Sequence, residues 1–305
     1  MTNIKWKMEN GKWKWSISEM PERNNFSSEL SFLNPEFLKS VAARPVRILS
    51  EYLDPAERMR RARIRDTIVF FGSARSRSPE EAERRMAQIR DEIERAGALT
   101  PDLKAALSRA EYVAKTSRYY RDAMELARRV TEWSKSLTGN HHFIVCSGGS
   151  GGMMEAANRG ASMAGGKTIG LHIDLSTEEE VNPYVTSDLV FRFHYFFMRK
   201  FWFVYLAKAL VVFPGGFGTM DELFEVLTLI QTKKPRKTMP IVLFGAEFWN
   251  EIVNFDALLK WGMISAEDLR LFLMTDSVDE AFDYLKIRLE ELYPSTEKLD
   301  EVKLT

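Results

Sequence analysis

Short unbroken apolar runs alternate along this chain with longer stretches in which apolar residues recur every three to four positions. The first pattern marks strands buried on both faces, the second amphipathic helices. Strands are predicted at Thr67–Phe71, His142–Cys146, Lys167–Ile173, Asp188–Phe193, Ala209–Phe213 and Pro240–Phe244, with a short one at Leu271–Thr275. A charged helical stretch covers 79–136 and breaks near Gly97 to Pro101. Further helices are predicted at Met153–Ala164, Phe197–Leu206 and Met220–Gln231, and the remainder is mostly helical. Alternation of this kind predicts the α/β class: a Rossmann-like parallel sheet flanked by helices, with an N-terminal helical extension.

The organisation expected is an N-terminal tail or hairpin over 1–26, a helical extension over 27–66 and one nucleotide-binding domain over 67–295. Asn10-Gly11 suits a two-residue turn, which pairs Trp6 with Trp15 and Met8 with Trp13 on one face. That face is expected to dock on the domain or on another subunit; a poorly ordered tail is the alternative. Asn34-Pro35-Glu36 and Asp54-Pro55-Ala56-Glu57 each read as a helix start, with a capping residue before a first-turn proline. The basic run Arg58–Arg65 reads as a solvated helix face rather than a nucleic-acid site.

Composition narrows the function classes. The chain has 305 residues, 45% hydrophobic and 28% charged, with 43 Lys plus Arg against 43 Asp plus Glu. Such balance gives no reason to expect nucleic acid or a membrane surface as partner. No run approaches the roughly 20 apolar residues that span a bilayer. Cys146 is the only cysteine, so no intrachain disulfide forms and a cytoplasmic location is expected. It reads as a core residue. His141, His142, His172 and His194 have no metal-ligand spacing, so no metal site is expected.

Three strand exits carry the candidate chemistry: Gly72-Ser73-Ala74-Arg75, the loop Ser147-Gly148-Gly149-Ser150-Gly151-Gly152, and the loop Pro214-Gly215-Gly216-Phe217-Gly218-Thr219. Ligands of parallel sheets sit beyond the carboxyl ends of the strands. Glycines let backbone approach a ligand, and a helix N-terminus offers free amides to a phosphate. No Gly-Lys-Ser/Thr follows either loop, so the Walker pattern is missing. The Ser147–Gly152 loop fits the dinucleotide fingerprint imperfectly, although Asp174 stands where a ribose-binding acid would. Glu222 and Arg199 are the candidate catalytic pair. A carboxylate beside an anomeric carbon stabilises oxocarbenium charge or orients a water. Arginine grips phosphate or stabilises charge on a departing base. The plainer alternatives are a Thr219-x-x-Glu222 capping box, two surface charges at Arg199-Lys200, and a dipole-compensating first-turn acid at Glu155. Against the second, Arg199 is flanked by Phe196, Phe197, Phe201, Trp202 and Phe203, and a charge amid so much apolar surface needs a partner or ligand.

The stretch Pro214-Gly215-Gly216-Phe217-Gly218-Thr219-Met220-Asp221-Glu222 resembles the PGGxGTxxE signature of the LOG family, also described as lysine decarboxylase-like. Met198-Arg199-Lys200 resembles the family's arginine-lysine motif. Ser147 to Ala161 resembles the glycine-rich motif of its longer members, and Val69 to Arg75 the first strand and its exit. The resemblance spans about residues 35–290. It implies a Rossmann-like subunit, a homodimer or higher oligomer, that hydrolyses nucleoside 5′-monophosphates to a free base and ribose 5-phosphate without metal or redox cofactor. It places catalysis on Arg199 and Glu222. Substrate and phosphate binding fall on Gly72, Ser73, Gly148, Gly149, Glu155, Lys200, Gly215, Gly216, Gly218 and Thr219. The second loop departs from the family's usual Thr-Gly-Gly-Gly-Pro-Gly at Ser147, Ser150 and Gly151. The same superfamily includes molybdenum-cofactor carriers, which makes non-catalytic binding of a phosphorylated ligand the rival function. No lysine stands in a recognisable pyridoxal-phosphate context.

Overall fold

In the computed structural model, the described residues are 4–9, 12–17, 30–138, 142–174, 180–232 and 239–294. Two compact units divide the chain, Met1–Ser50 and Glu51–Thr305.

The first unit holds β1 (Ile4–Glu9) and β2 (Lys12–Ile17), an antiparallel pair, and α1 (Pro35–Lys39). The hairpin register is the expected one, Trp6 opposite Trp15 and Met8 opposite Trp13; the Asn10-Gly11 turn lies outside the described residues. Asn34 caps α1 as expected, its Oδ1 accepting the Glu36 and Phe37 amides at 3.0 and 3.1 Å.

α2 runs from Arg44 to Arg61 without interruption, which corrects the helix start expected at Asp54-Pro55. Proline inside a helix removes the bond that its amide would make to the carbonyl four residues earlier. That orphan is Glu51 O, and the Trp202 indole Nε1–H donates to it at 3.0 Å. The basic end of α2 is partly neutralised on its own surface: Glu57 holds Arg60 and Arg61, each at 2.8 Å, and Arg58 lies over the Phe191 ring at 4.3 Å.

The second unit is built on seven parallel strands: β3 (Asp66–Phe71), β4 (Phe143–Ser147), β5 (Thr168–Ile173), β6 (Val190–Phe193), β7 (Ala207–Val212), β8 (Ile241–Phe244) and β9 (Phe272–Thr275). Its helices are α3 (Pro79–Ala96), α4 (Pro101–Ser136), α5 (Met153–Met163), α6 (Phe196–Tyr205), α7 (Phe217–Gln231), α8 (Ala246–Ile252), α9 (Phe255–Lys260) and α10 (Val278–Leu292). Left-handed Gly97 ends α3, and Thr100 with Pro101 starts α4, which is the break expected at that point. Strand residues alternate faces. Ile68, Phe70, Val211 and Val242 join α4, α5 and α10 in one core. Phe71 points the other way, edge-on to Phe203 of α6 with ring centroids 4.7 Å apart.

Strand order is β6-β5-β4-β3-β7-β8-β9. The chain therefore winds outward from β3 in one direction and restarts beside it at β7. A crevice opens at such a switch point, above the carboxyl ends of the two strands. Among the described residues no helix is long and apolar enough to cross a membrane.

Candidate functional site

A cavity of about 690 Å3 occupies that crevice, within the range of small-molecule sites. Its floor is Phe71–Arg75 leaving β3, and its second wall is Gly215–Glu222 leaving β7. Gly148, Arg199 and a set of apolar side chains complete it. Of the residues singled out in the sequence, Gly72, Ser73, Gly148, Arg199, Gly215, Gly216, Gly218, Thr219 and Glu222 meet here.

The two glycine loops do different jobs. Around α5 the leading helix amide and one loop amide are used: the Met153 amide donates to Ser73 O at 3.0 Å, and the Gly149 amide to Ser147 Oγ at 3.1 Å. Gly152 sits at φ +67°, where a Cβ would fall 2.3 Å from Ser73 O. This loop therefore packs β4 against the β3 exit. Its missing Cβ atoms serve other groups, and one at Gly148 would lie 2.5 Å from Arg199 Nη2. α7 is the opposite case. It starts at Phe217, with Gly216 as N-cap and no side-chain cap. Among the described residues the amides of Phe217, Gly218 and Thr219 have no acceptor. A Cβ at Gly216 or Gly218 would meet nothing within 4 Å. Free amides at a helix N-terminus above open space form a site for an anion.

This helix start also removes the capping-box alternative. Thr219 is the third residue of α7 and Glu222 the sixth, so neither stands at a cap. Instead the Glu222 carboxyl lies one and a half turns into the helix, 7% exposed, and lines the cavity. Its Oε2 has no hydrogen-bond partner. Burial pushes its pKa up from 4.5 to about 7, against the opposing pull of Lys200 and Arg199.

Arg199 is held at the end of α6. The N-terminus of that helix is fixed by the Glu51 carboxylate, which accepts the His194 and Tyr195 amides at 2.8 and 3.2 Å. Arg199 Nε donates to Leu171 O at 2.7 Å, and the guanidinium lies 5.1 Å from the Phe203 ring centroid. Burial lowers its pKa and Glu222 counters that; an arginine so placed stays charged. The partner demanded by its apolar neighbourhood is thus a backbone carbonyl plus an aromatic face, with no ion pair to Glu222.

Three expected residues stand apart from the cavity. Lys200 is held by Asp221 and Glu225, each at 2.7 Å, and lies 3.8 Å from Glu222; it braces α6 against α7. Glu155 accepts the Tyr120 hydroxyl at 2.7 Å and lines a separate cavity of about 330 Å3. Gly149, at φ +76°, packs on Gly170. Asp174 is exposed and belongs to neither cavity, and the leading α5 amide, of Met153, is bonded to Ser73 O. Cys146 is buried, which raises its thiol pKa. The apolar wall of Met154, Phe196, Phe203, Phe248 and Ile252 was not marked as site lining in the sequence. These positions come from three separate helices and carry no local motif.

Residues 154–285 match the family model described as "Possible lysine decarboxylase". A probable cytokinin riboside 5′-monophosphate phosphoribohydrolase of Oryza sativa subsp. japonica is 28% identical over 185 residues, covering 57% of this chain and 78% of the relative. The cytokinin riboside 5′-monophosphate phosphoribohydrolase of Mycobacterium tuberculosis is 27% identical over 164 residues, covering 52% and 83%. Over this stretch the chain is similar to proteins of the LOG family. Among solved structures, the molybdenum cofactor carrier protein of Chlamydomonas reinhardtii is 20% identical with a TM-score of 0.41, over 74% of this chain and 99% of the carrier. The matched stretch 154–285 holds Arg199, the glycines of the Pro214–Thr219 loop and Glu222, whereas the β3 exit lies before it.

Proposed function

We propose that the chain hydrolyses the N-glycosidic bond of a nucleoside 5′-monophosphate. The observation that carries this reading is the pairing of two unlike groups in one cavity: an unoccupied row of helix amides, and beside it a buried carboxylate with an oxygen free of hydrogen bonds. The amides of Phe217–Thr219 bind the 5′-phosphate, whose charge the dipole of α7 favours. The ribose then lies toward Glu222. As the C1′–N bond lengthens, its electron pair leaves with the base and positive charge grows at C1′. The Glu222 carboxylate stabilises that charge and orients a water, whose oxygen bonds to C1′ while its proton leaves. The base takes up a proton, and the products are free base and ribose 5-phosphate. Arg199, held by Leu171 O and Phe203, stabilises negative charge on the departing base or the phosphate. The named relatives act on cytokinin riboside 5′-monophosphates, and the apolar wall from Met154 to Ile252 suits a flat base.

We further propose a homodimer formed through the outer end of α6. Phe196 and Phe197 are about half exposed there, and Phe217 on the cavity rim is 96% exposed. Apolar surface of that kind marks an interaction site. Sedimentation of the purified protein reads it directly, and a concentration-independent monomer would reject it.

The activity is tested by incubating the protein with AMP, GMP, CMP, UMP and isopentenyladenine ribotide, alongside the matching nucleosides, and assaying free base. Release from a monophosphate and not from its nucleoside is expected. Folded protein that releases no base, or that carries a retained phosphorylated pterin by native mass spectrometry, would replace the enzyme with a carrier.

A further inference from the structure

A second cleft, of about 680 Å3, lies at the other end of the sheet. Its lining includes Ile64 and Arg65 just before β3, His142 just before β4 and Leu206 just before β7. These mark the amino ends of strands whose carboxyl ends form the first cavity.

The lining is basic: Arg60, Arg63, Arg65 and His142 contribute, with Trp202 and Tyr205 of α6, and among the described residues no carboxylate lines the cleft. Arg60 is already paired with Glu57. The guanidinium groups of Arg63 and Arg65 have no hydrogen-bond or ion-pair partner among the described residues. Both arginines are exposed, on either side of buried Ile64.

Arg63 carries a second, independent signal. At φ 58° it is the only non-glycine in the left-handed region among the described residues. It ends α2 in a turn closed by Ile64 N–H to Met59 O at 2.9 Å and Arg63 N–H to Arg60 O at 3.1 Å. Glycine is favoured at this position, because any Cβ is strained there. An arginine retained against that preference points to use of its side chain.

We propose that this cleft binds a small oligophosphate anion, gripped by Arg63 and Arg65. The guanidinium fork matches phosphate geometry, and the two unpaired arginines supply charge that nothing in the cleft neutralises. The site is separate from the one that holds Arg199 and Glu222.

The test is calorimetric titration of the full chain with inorganic pyrophosphate. Four further proteins are compared with wild type: Arg63→Gly, Arg65→Ala, the double variant, and Arg199→Ala. Arg63→Gly removes the cation and the strain together, so it is expected to melt no lower than wild type. Each single loss in the cleft weakens pyrophosphate binding about tenfold or more, as expected for a charged hydrogen bond, and rising salt weakens what remains. Arg199→Ala leaves this binding intact. No binding to wild type, unchanged affinity in the double variant, or loss of all binding in Arg199→Ala alone would overturn the proposal.

Discussion

Glu222→Gln should stabilise the protein at high pH while removing its activity. The carboxyl is buried, with Oε2 unpartnered, and its pKa rises from 4.5 to about 7 on folding. A raised acid pKa means that the folded state binds the proton more tightly than the unfolded chain does. Its stability contribution is therefore full below about pH 4.5 and is lost as pH climbs through about 7. At about 1.4 kcal/mol per unit, the penalty carried by wild type approaches about 3 kcal/mol at pH 8 and falls below about 1 kcal/mol at pH 5. Glutamine has nearly the same shape and no charge, so it escapes the penalty. Urea unfolding of both proteins at several pH values between 5 and 8 measures the gap. It should open with pH, the variant becoming the more stable. A constant gap, or a variant that loses ground as pH rises, would refute the account of Glu222 as a desolvated carboxylate.

If Glu222 works as the carboxylate, kcat/KM rises with pH through an inflection near 7. Lys200→Met removes the cation that holds that pKa down, so the inflection should move upward; a fixed profile would clear Lys200 of any influence. Gly148→Ala puts a Cβ 2.5 Å from Arg199 Nη2 and should lower kcat/KM by about tenfold or more through misplacement of the guanidinium, measured by steady-state kinetics at unchanged far-UV circular dichroism. Gly218→Ala meets open space, so the fold should melt within a few degrees of wild type while KM rises for monophosphates. Cys146, buried with a raised pKa, should resist iodoacetamide in native protein and react once urea unfolds it.

The strands were legible because each is an apolar run bounded by glycine or charge, and burial on both faces of a parallel sheet demands that pattern. β3 and α4 appear within a residue of where the pattern puts them. Local rules failed where a distant group took over a local role. Pro55 does not start a helix because Trp202, far along the chain, accepts the task of satisfying Glu51 O. Thr219 and Glu222 have capping-box spacing, yet α7 begins two residues earlier, where Gly216 turns the chain. The glycine loop after β4 looked as suited to phosphate as the one after β7. Only the structure shows that Ser73 O takes its leading helix amide. Arg199 and Glu222 were readable as chemistry, but their common cavity depends on strand order, which no local pattern encodes.

The central claim is that one buried carboxylate drives cleavage of a sugar–base bond in a substrate anchored by its phosphate. It is tested most directly by quantifying ribose 5-phosphate formed from the preferred monophosphate by wild type, Glu222→Gln and Arg199→Ala. The account predicts stoichiometric ribose 5-phosphate and base from wild type, and turnover at least about 100-fold slower in Glu222→Gln with nucleotide binding retained. Undiminished turnover in that variant would contradict it.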